Sequence, residues 1–290
     1  MTPFKIGVMA DSFRKDIREG ARAAKALGAD GIQIYAVAGK ICPENMDAAA
    51  RLDFRKFCDD LNLSISALCG DLGGHGFARE AENKGKIERS KKIVDLAVDL
   101  GTAVVTTHIG VVPSDPAHPT YQVLKTACRE LGAYAGTKGI AFAIETGPEP
   151  ATVLKAFLVD VAEAGIGVNL DPANLVMVIG DDPIKAAELL GPHIVHTHAK
   201  DGRRLKVCDA SRIYDAFAEN RYGELVKELG GAPFEEVPVG EGEVRWDAYL
   251  AALRKAGYHG YLTVEREVGA DPSADIGKAV RYLCDRMAAM

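Results

Sequence analysis

The chain holds no CxxC pair, no GxGxxG turn after its first strand-like segment, and no surplus of basic residues. Nor does any apolar run approach the ~20 residues that span a bilayer. Each absence closes a class. The six cysteines, Cys42, Cys58, Cys69, Cys128, Cys208 and Cys284, lack zinc-site or redox spacing and read as free, mostly buried thiols of a reducing cytoplasm. Lys and Arg number 35 against 41 Asp and Glu, a formal net charge of −6. Such a surface disfavours nucleic acid, whose binding draws on clustered cations, and gives no reason to expect an anionic membrane partner. The segment ADSFRKD that follows the first strand candidate has no phosphate-cradling glycines, which argues against a doubly wound dinucleotide-binding sheet. MTPFKIGVMADSF lacks a basic stretch followed by a long apolar one, so it reads as a first strand rather than a signal peptide, and a cytoplasmic location follows. No linker, low-complexity tract or evident repeat divides the chain, so residues 1–290 read as one domain.

What is present is a regular alternation. Short apolar runs rich in Val and Ile predict eight strands: Phe4–Met9, Gly31–Tyr35, Ile65–Cys69, Ala103–His108, Ile140–Glu145, Ile166–Asp171, Ile194–His198 and Gly260–Glu265. Helical patterns lie between them, among them Asp16–Leu27, Lys84–Leu100, Ala151–Ala164 and Trp246–Ala256. Each of these is followed by a glycine (Gly28, Gly101, Gly165, Gly257), the left-handed helix stop. Eight strands alternating with helices over 290 residues predict an α/β fold, a single (β/α)8 TIM barrel. One spacing is about twice the others, that between His198 and Gly260. The extra segment, around 205–235, has helical character (ASRIYDAFAENRYGELVKEL) and predicts an extended loop and helical insertion after the seventh strand, serving as a lid or as an oligomer contact.

Four strand candidates end on a metal-ligand type of residue: Glu145 in AFAIE, Asp171 in GVNLD, His198 in IVHTH and Glu265 in YLTVE. Side chains alternate along a strand. Counting back by twos from these ends places Ala143 and Ala141, Asn169 and Gly167, and Thr263 and Tyr261 on the ligand's face. Phe142, Ile144, Val168, Leu170, Leu262 and Val264 fall on the other, where covering helices bury them. Glu145, Asp171, His198 and Glu265 therefore point into the barrel together. Three carboxylates and one imidazole make a hard donor set for one divalent ion. Mn²⁺ suits it best, with Mg²⁺, Co²⁺ or Zn²⁺ also acceptable. His196 shares the inward face one layer below His198 and reads as a core histidine. Asp171, followed by Pro172, also fits a helix cap.

The segments AIETGPEP, GVNLDPANL, HTHAKD and VPVGEGEVRWDAYLAALRKAGYHGYLTVERE resemble the xylose isomerase-like TIM-barrel superfamily of sugar isomerases and epimerases, over nearly the whole chain. In its ketose 3-epimerases a Glu, Asp, His, Glu set holds one divalent ion, and both glutamates carry protons. The resemblance thus implies catalytic roles for Glu145 and Glu265. It also implies a substrate-binding role for Arg204, six residues after the metal histidine, a small-molecule sugar or cyclitol substrate, and a homo-oligomer. The chain departs from the epimerases at Asn174, where they often carry a substrate-contacting histidine. HAKD is closer to the corresponding stretch of the superfamily's inosose dehydratases.

The chemistry so implied is proton abstraction α to a carbonyl through a metal-stabilised ene-diolate, giving epimerisation or isomerisation of a keto-sugar or related polyol. Loss of a β-leaving group from the same enolate would make the protein a lyase. A non-catalytic sugar-binding barrel and an apurinic endonuclease of the same superfamily are the other readings. The first does not need two opposed glutamates, and the second needs more histidines and a basic groove. Further substrate-binding candidates are His108 after the fourth strand, His75 in the loop GDLGGHGF, Lys200 and Asn174. His108 reads equally as a structural rim residue. Of Arg203 and Arg204 only one points inward. Glu149 reads as an acid favoured by a helix N-terminus, and Trp246 as packing.

Overall fold

Strands β1 (Lys5–Met9), β2 (Gly31–Tyr35), β3 (Ser64–Cys69), β4 (Val104–Thr107), β5 (Ala141–Glu145), β6 (Ile166–Leu170) and β7 (Ile194–Ala199) pair in parallel, each with the next. A later strand, β10 (Tyr261–Val264), pairs with both β7 and β1 and closes the ring. The protein, described over residues 3–290 by a computed structural model, is a single (β/α)8 TIM barrel with helices between its strands. Met1 and Thr2 of the expected 1–290 domain lie outside the described residues. A parallel sheet in a barrel is covered on both faces, and the large aliphatic side chains of these strands lie on the outer one, under the helices. Val8, Ile34, Leu68, Val105, Phe142, Val168, Leu170 and Leu262 are wholly buried.

The helices on the outside follow the expected alternation, with local differences. Asp16 is the cap of Ile17–Ala26 rather than its first residue, accepting from the Arg18 amide at 3.1 Å. The third-loop helix begins at Glu80, four residues before the periodic pattern suggests. Gly28, Gly101 and Gly257 do take positive φ at helix ends. Gly165 does not play that part: helix Ala151–Val161 stops on Ala162, at φ +56°. Gly165 is required for a different reason, because a Cβ there would lie 2.1 Å from the Gly132 carbonyl oxygen of helix Pro119–Thr137.

After β7 the chain leaves the barrel. It forms β8 (Asp201–Arg204), two helices (Ala210–Ala218 and Tyr222–Glu228) and β9 (Phe234–Val237), which pairs antiparallel with β8. The expected insertion is therefore helical in its middle and clasped by a two-stranded sheet. Its side chains Ile213, Ala216 and Leu225 form a small core of their own on Met177 and Val178, beyond β6. One carboxylate fastens the return to the barrel. Asp201 Oδ1 accepts from the amides of Gly202 (2.9 Å) and Val244 (3.1 Å), and Oδ2 from the Gly240 amide and Trp246 Nε1, both at 2.9 Å. Trp246 is buried, as its packing role requires. All six cysteines are unpaired and five are buried. Among the described residues no helix is long and apolar enough to cross a membrane.

Candidate metal centre

The interior of the barrel is polar toward the strands' carboxyl ends. Gln33 on β2, Thr106 on β4, Asn169 on β6, His196 and His198 on β7 and Thr263 on β10 are all fully or almost fully buried. Their hydrogen bonds allow one consistent assignment of protons. Thr263 Oγ1 donates to His196 Nε2 (3.0 Å), His196 Nδ1 donates to Asn169 Oδ1 (2.9 Å), and Asn169 Nδ2 donates to Glu145 Oε2 (3.2 Å). Burial, with His198 nearby, holds His196 well below the ordinary imidazole range, so it stays neutral, as this chain requires. It is the core histidine that its position predicts.

Gln33 sets the orientation of His198. Its Nε2 donates to Thr106 Oγ1 (2.9 Å), which turns its Oε1 toward His198 Nε2 at 3.1 Å. With Nε2 protonated and donating there, the Nδ1 lone pair faces the other three predicted ligands. It lies 3.5 Å from Glu145 Oε1, 3.4 Å from Asp171 Oδ2 and 3.4 Å from Glu265 Oε2. One donor atom from each of the four residues falls within 4.8 Å of the others, and all four side chains are buried. Asp171 is both cap and ligand candidate. Its Oδ1 accepts from the amides of Ala173 (2.8 Å) and Asn174 (3.0 Å), leaving Oδ2 for the cluster.

The donor set fits a divalent cation. Three buried carboxylates converge on one imidazole nitrogen, and a hydrogen bond to the far ring nitrogen is the usual device for orienting a metal-ligating histidine. The charge of the cluster is visible in His198. Burial alone would lower its affinity for a proton, but Glu265 and Glu145 raise it well above the ordinary range. A proton on Nδ1 and a bound ion are thus alternatives at the same position, so binding an ion releases the proton.

The two glutamates differ. Burial would raise Glu145, but His108 and His198 beside it hold it well below the usual carboxylate range. Burial raises Glu265 to about 7, reinforced by Glu267 and Glu145 and opposed by His198 and Lys200. A bound cation pulls both down. The neighbours still differ: His108 beside Glu145, and Lys200 with its partner Glu267 beside Glu265.

The remaining predicted residues divide. His108 and Asn174 sit on Glu145: His108 Nε2 is 3.4 Å from Oε1, and Asn174 Nδ2 donates to Oε1 at 3.1 Å. Gly147 makes room for this group at φ +141°. A Cβ there would stand 2.6 Å from Asn174 Cβ and 2.9 Å from the Tyr214 hydroxyl. Lys200 is buried on Glu265, with Nζ 3.0 Å from Oε2, and is paired also with Glu267. His75 lies at the cavity wall, with Nδ1 3.2 Å from Asp215 and Nε2 3.5 Å from Glu219, both on the insertion. Arg204 stands apart. β8 carries it away from the barrel, its guanidinium lies against Gly180, and it does not line the cavity.

Some of the site's groups carry no mark in the linear pattern. Gln33 is one, although a lone amide within GIQIY on the inward face is a usable signal. Others are Tyr214 of the insertion and the buried pair Arg266–Glu236, 2.7 Å apart, in which β9 reaches back to the rim beside Lys200. All of these except Gln33 line a cavity of about 1390 Å³ that reaches Glu145 and Glu265.

Comparison with known proteins agrees with this architecture. The chain is 31% identical over 121 residues to the uncharacterized protein YfiH of Bacillus subtilis, a stretch that spans 41% of this chain and 36% of that relative. Among solved structures, a xylose isomerase domain protein from Planctomyces limnophilus superposes with a TM-score of 0.80 at 25% identity, over 99% of each chain. D-allulose 3-epimerase from Methylomonas sp., solved in complex with D-allulose, gives 0.71 at 18% identity over 99% of this chain and 98% of that one. The probable 3-DHS dehydratase AsbF of Bacillus anthracis gives 0.72 at 18%, over 97% and 99%. At those identities the last two speak for the fold alone. The family model described as xylose isomerase-like TIM barrel matches residues 21–286, and the chain belongs to that family.

Proposed function

We propose that the protein is a divalent-metal-dependent isomerase or epimerase of a keto-sugar or related polyol, working by proton transfer at the carbon next to a carbonyl. The observation that carries this reading is the convergence of Glu145 and Glu265, differently tuned, on one buried ligand cluster at the end of a cavity. Glu145, Asp171, His198 and Glu265 would hold the ion, Mn²⁺ by preference and Mg²⁺ as the next choice. When bound, it polarises the substrate carbonyl and offsets charge on the enolised intermediate. Glu145, kept ionised by its imidazole neighbours, takes the α-proton. Glu265, which burial and Glu267 bias toward its protonated form more than Glu145, returns one. The reverse reaction exchanges the two roles, so each carboxyl both takes and gives a proton. Asn174 and His108 hold Glu145 in place, and Lys200 holds Glu265. The unpaired, mostly buried cysteines fit a reducing compartment, which favours the cytoplasm.

A lyase is the second reading, favoured by the place of His108. Its imidazole enters the cavity 3.4 Å from Glu145, where an N–H could protonate a departing β-substituent as Glu145 takes the α-proton. The dehydratase of the same fold is consistent with it.

Solvent exchange tests both. The Mn²⁺-loaded protein is incubated in D₂O with a panel of ketoses and keto-cyclitols. Deuterium should enter at an α-carbon, and its entry should be abolished by chelation and by Glu145→Gln or Glu265→Gln. An isomer of equal mass apart from the label marks the first reading, and a product lighter by the leaving group marks the second. No exchange across the panel would overturn both.

A further inference from the structure

The cavity has a second half that proton transfer on a small polyol does not use. At about 1390 Å³ it exceeds the roughly 300–1,000 Å³ of ordinary ligand pockets. A six-carbon polyol at Glu145 and Glu265 occupies only the polar end. Away from that end the wall is built by the insertion and is aromatic. Phe217 and Tyr222 stack nearly parallel, with ring centroids 4.3 Å apart and planes at 12°. Phe234 of β9 lies 5.9 Å from Tyr222, and Met177 and Val178 continue the apolar surface. Phe217 remains 49% exposed although it lines the cavity. Tyr214 marks the boundary, with its ring 5.8 Å from that of His108. The helix carrying Tyr214 and Phe217 is tied across the mouth by Asp215 to His75 (3.2 Å) and by Glu219, at its end, to Arg79 (3.8 Å).

Flat apolar faces left open inside a ligand cavity gain by being covered with another flat apolar group. A free sugar can lay one C–H face on such a ring, but a hexose held at the carboxylate cluster fills only a small part of a cavity of this size and leaves the aromatic wall uncovered. We infer that the substrate is a two-part molecule: a keto-sugar or keto-cyclitol head at the carboxylate cluster, joined to a planar aromatic substituent that packs on the exposed side of the Phe217–Tyr222 stack. This rests on the proposed reaction only for the nature of the head. The aromatic half stands on the wall itself.

The test compares binding of paired probes to the Mn²⁺-loaded protein by calorimetry: the methyl and phenyl β-glycosides of 2-keto-, 3-keto- and 4-keto-glucose, which carry the carbonyl of the proposed head. In at least one pair the phenyl glycoside should bind ten times more tightly or better. Phe217→Ala and Tyr222→Ala should bring the ratio for that pair to within twofold while leaving the methyl glycoside's Kd unchanged. Phe217→Leu, which keeps apolar bulk for folding but not a flat face, should lose most of the preference. A ratio near one in every pair, no binding of any probe, or variants that weaken both members of a pair equally would each overturn the inference. The deuterium experiment separates its failure from that of the reaction. Exchange without a phenyl preference sinks only the two-part substrate, whereas the preference without exchange sinks only the chemistry.

Discussion

Replacing Gln33 with leucine should weaken metal binding without removing any ligand. Gln33 Oε1 is the acceptor for His198 Nε2 at 3.1 Å. The other polar atom near Nε2, Asn169 Nδ2 at 3.3 Å, is itself a donor already engaged with Glu145 and cannot take that part. Leucine therefore leaves His198 either with a buried unsatisfied N–H or with its proton moved to Nδ1, where the lone pair is needed. Loss of such an orienting bond lowers metal affinity about 10–100-fold, or ~1.4–2.7 kcal/mol. Mn²⁺ titration by calorimetry measures it, with the thermal midpoint of the metal-free variant as a folding control. Thr106→Val is the matched control, since it removes Gln33's other partner but leaves the bond to His198 possible, and it should cost less. If Gln33→Leu binds Mn²⁺ within twofold of the parent while remaining folded, the bond from His198 Nε2 to Gln33 does not set the ligand's tautomer and orientation.

Two further predictions concern stability. Burial raises Glu149 to about 8, against the lowering effect of the Val112 amide. A folded-state value above the ordinary one near 4.5 means that the fold holds this proton more tightly, so stability falls as pH rises from about 4.5 to about 8, by up to ~1.4 kcal/mol per unit. Glu149→Gln accepts the same amide bond and carries no charge. Its urea midpoint should exceed that of the parent at pH 8 and lose the advantage at pH 5, and parallel pH slopes would refute this. Asp201→Ala should lower stability by about 3–5 kcal/mol, because four N–H groups lose their acceptor and buried unsatisfied groups cost ~1–3 kcal/mol each unless water reaches them. A loss below about 1 kcal/mol by urea denaturation would show that the turn holds without it.

The barrel and its cluster were legible because both are periodic. Strand alternation is a local rule, and it carried Glu145, Asp171, His198 and Glu265 to one face without knowledge of the neighbours. What escaped depends on pairing across distance. DGRR and FEEV have no apolar alternation, so β8 and β9 exist only through each other and through Asp201. Gly165 reads as a helix stop in one dimension and is a close-approach residue in three, since both demands select glycine. The resemblance implies substrate binding for Arg204, six residues after His198, but the chain turns out of the barrel directly after Lys200 and Arg204 does not line the cavity.

The layer formed by Gln33, Thr106, Asn169, His196 and Thr263 has a consequence for the robustness of the chain. Barrel interiors of this kind are usually filled by branched aliphatic side chains. Here that volume is given to hydrogen-bonded groups whose net contribution to stability is small even when every partner is in place. The layer confers order rather than resistance to heat, and well-packed aliphatic substitutes at the same positions are the changes that selection for stability alone would favour. A search for hardier variants that ignores activity would therefore erase the scaffold of the ligand histidine first, while leaving all four ligands in the sequence.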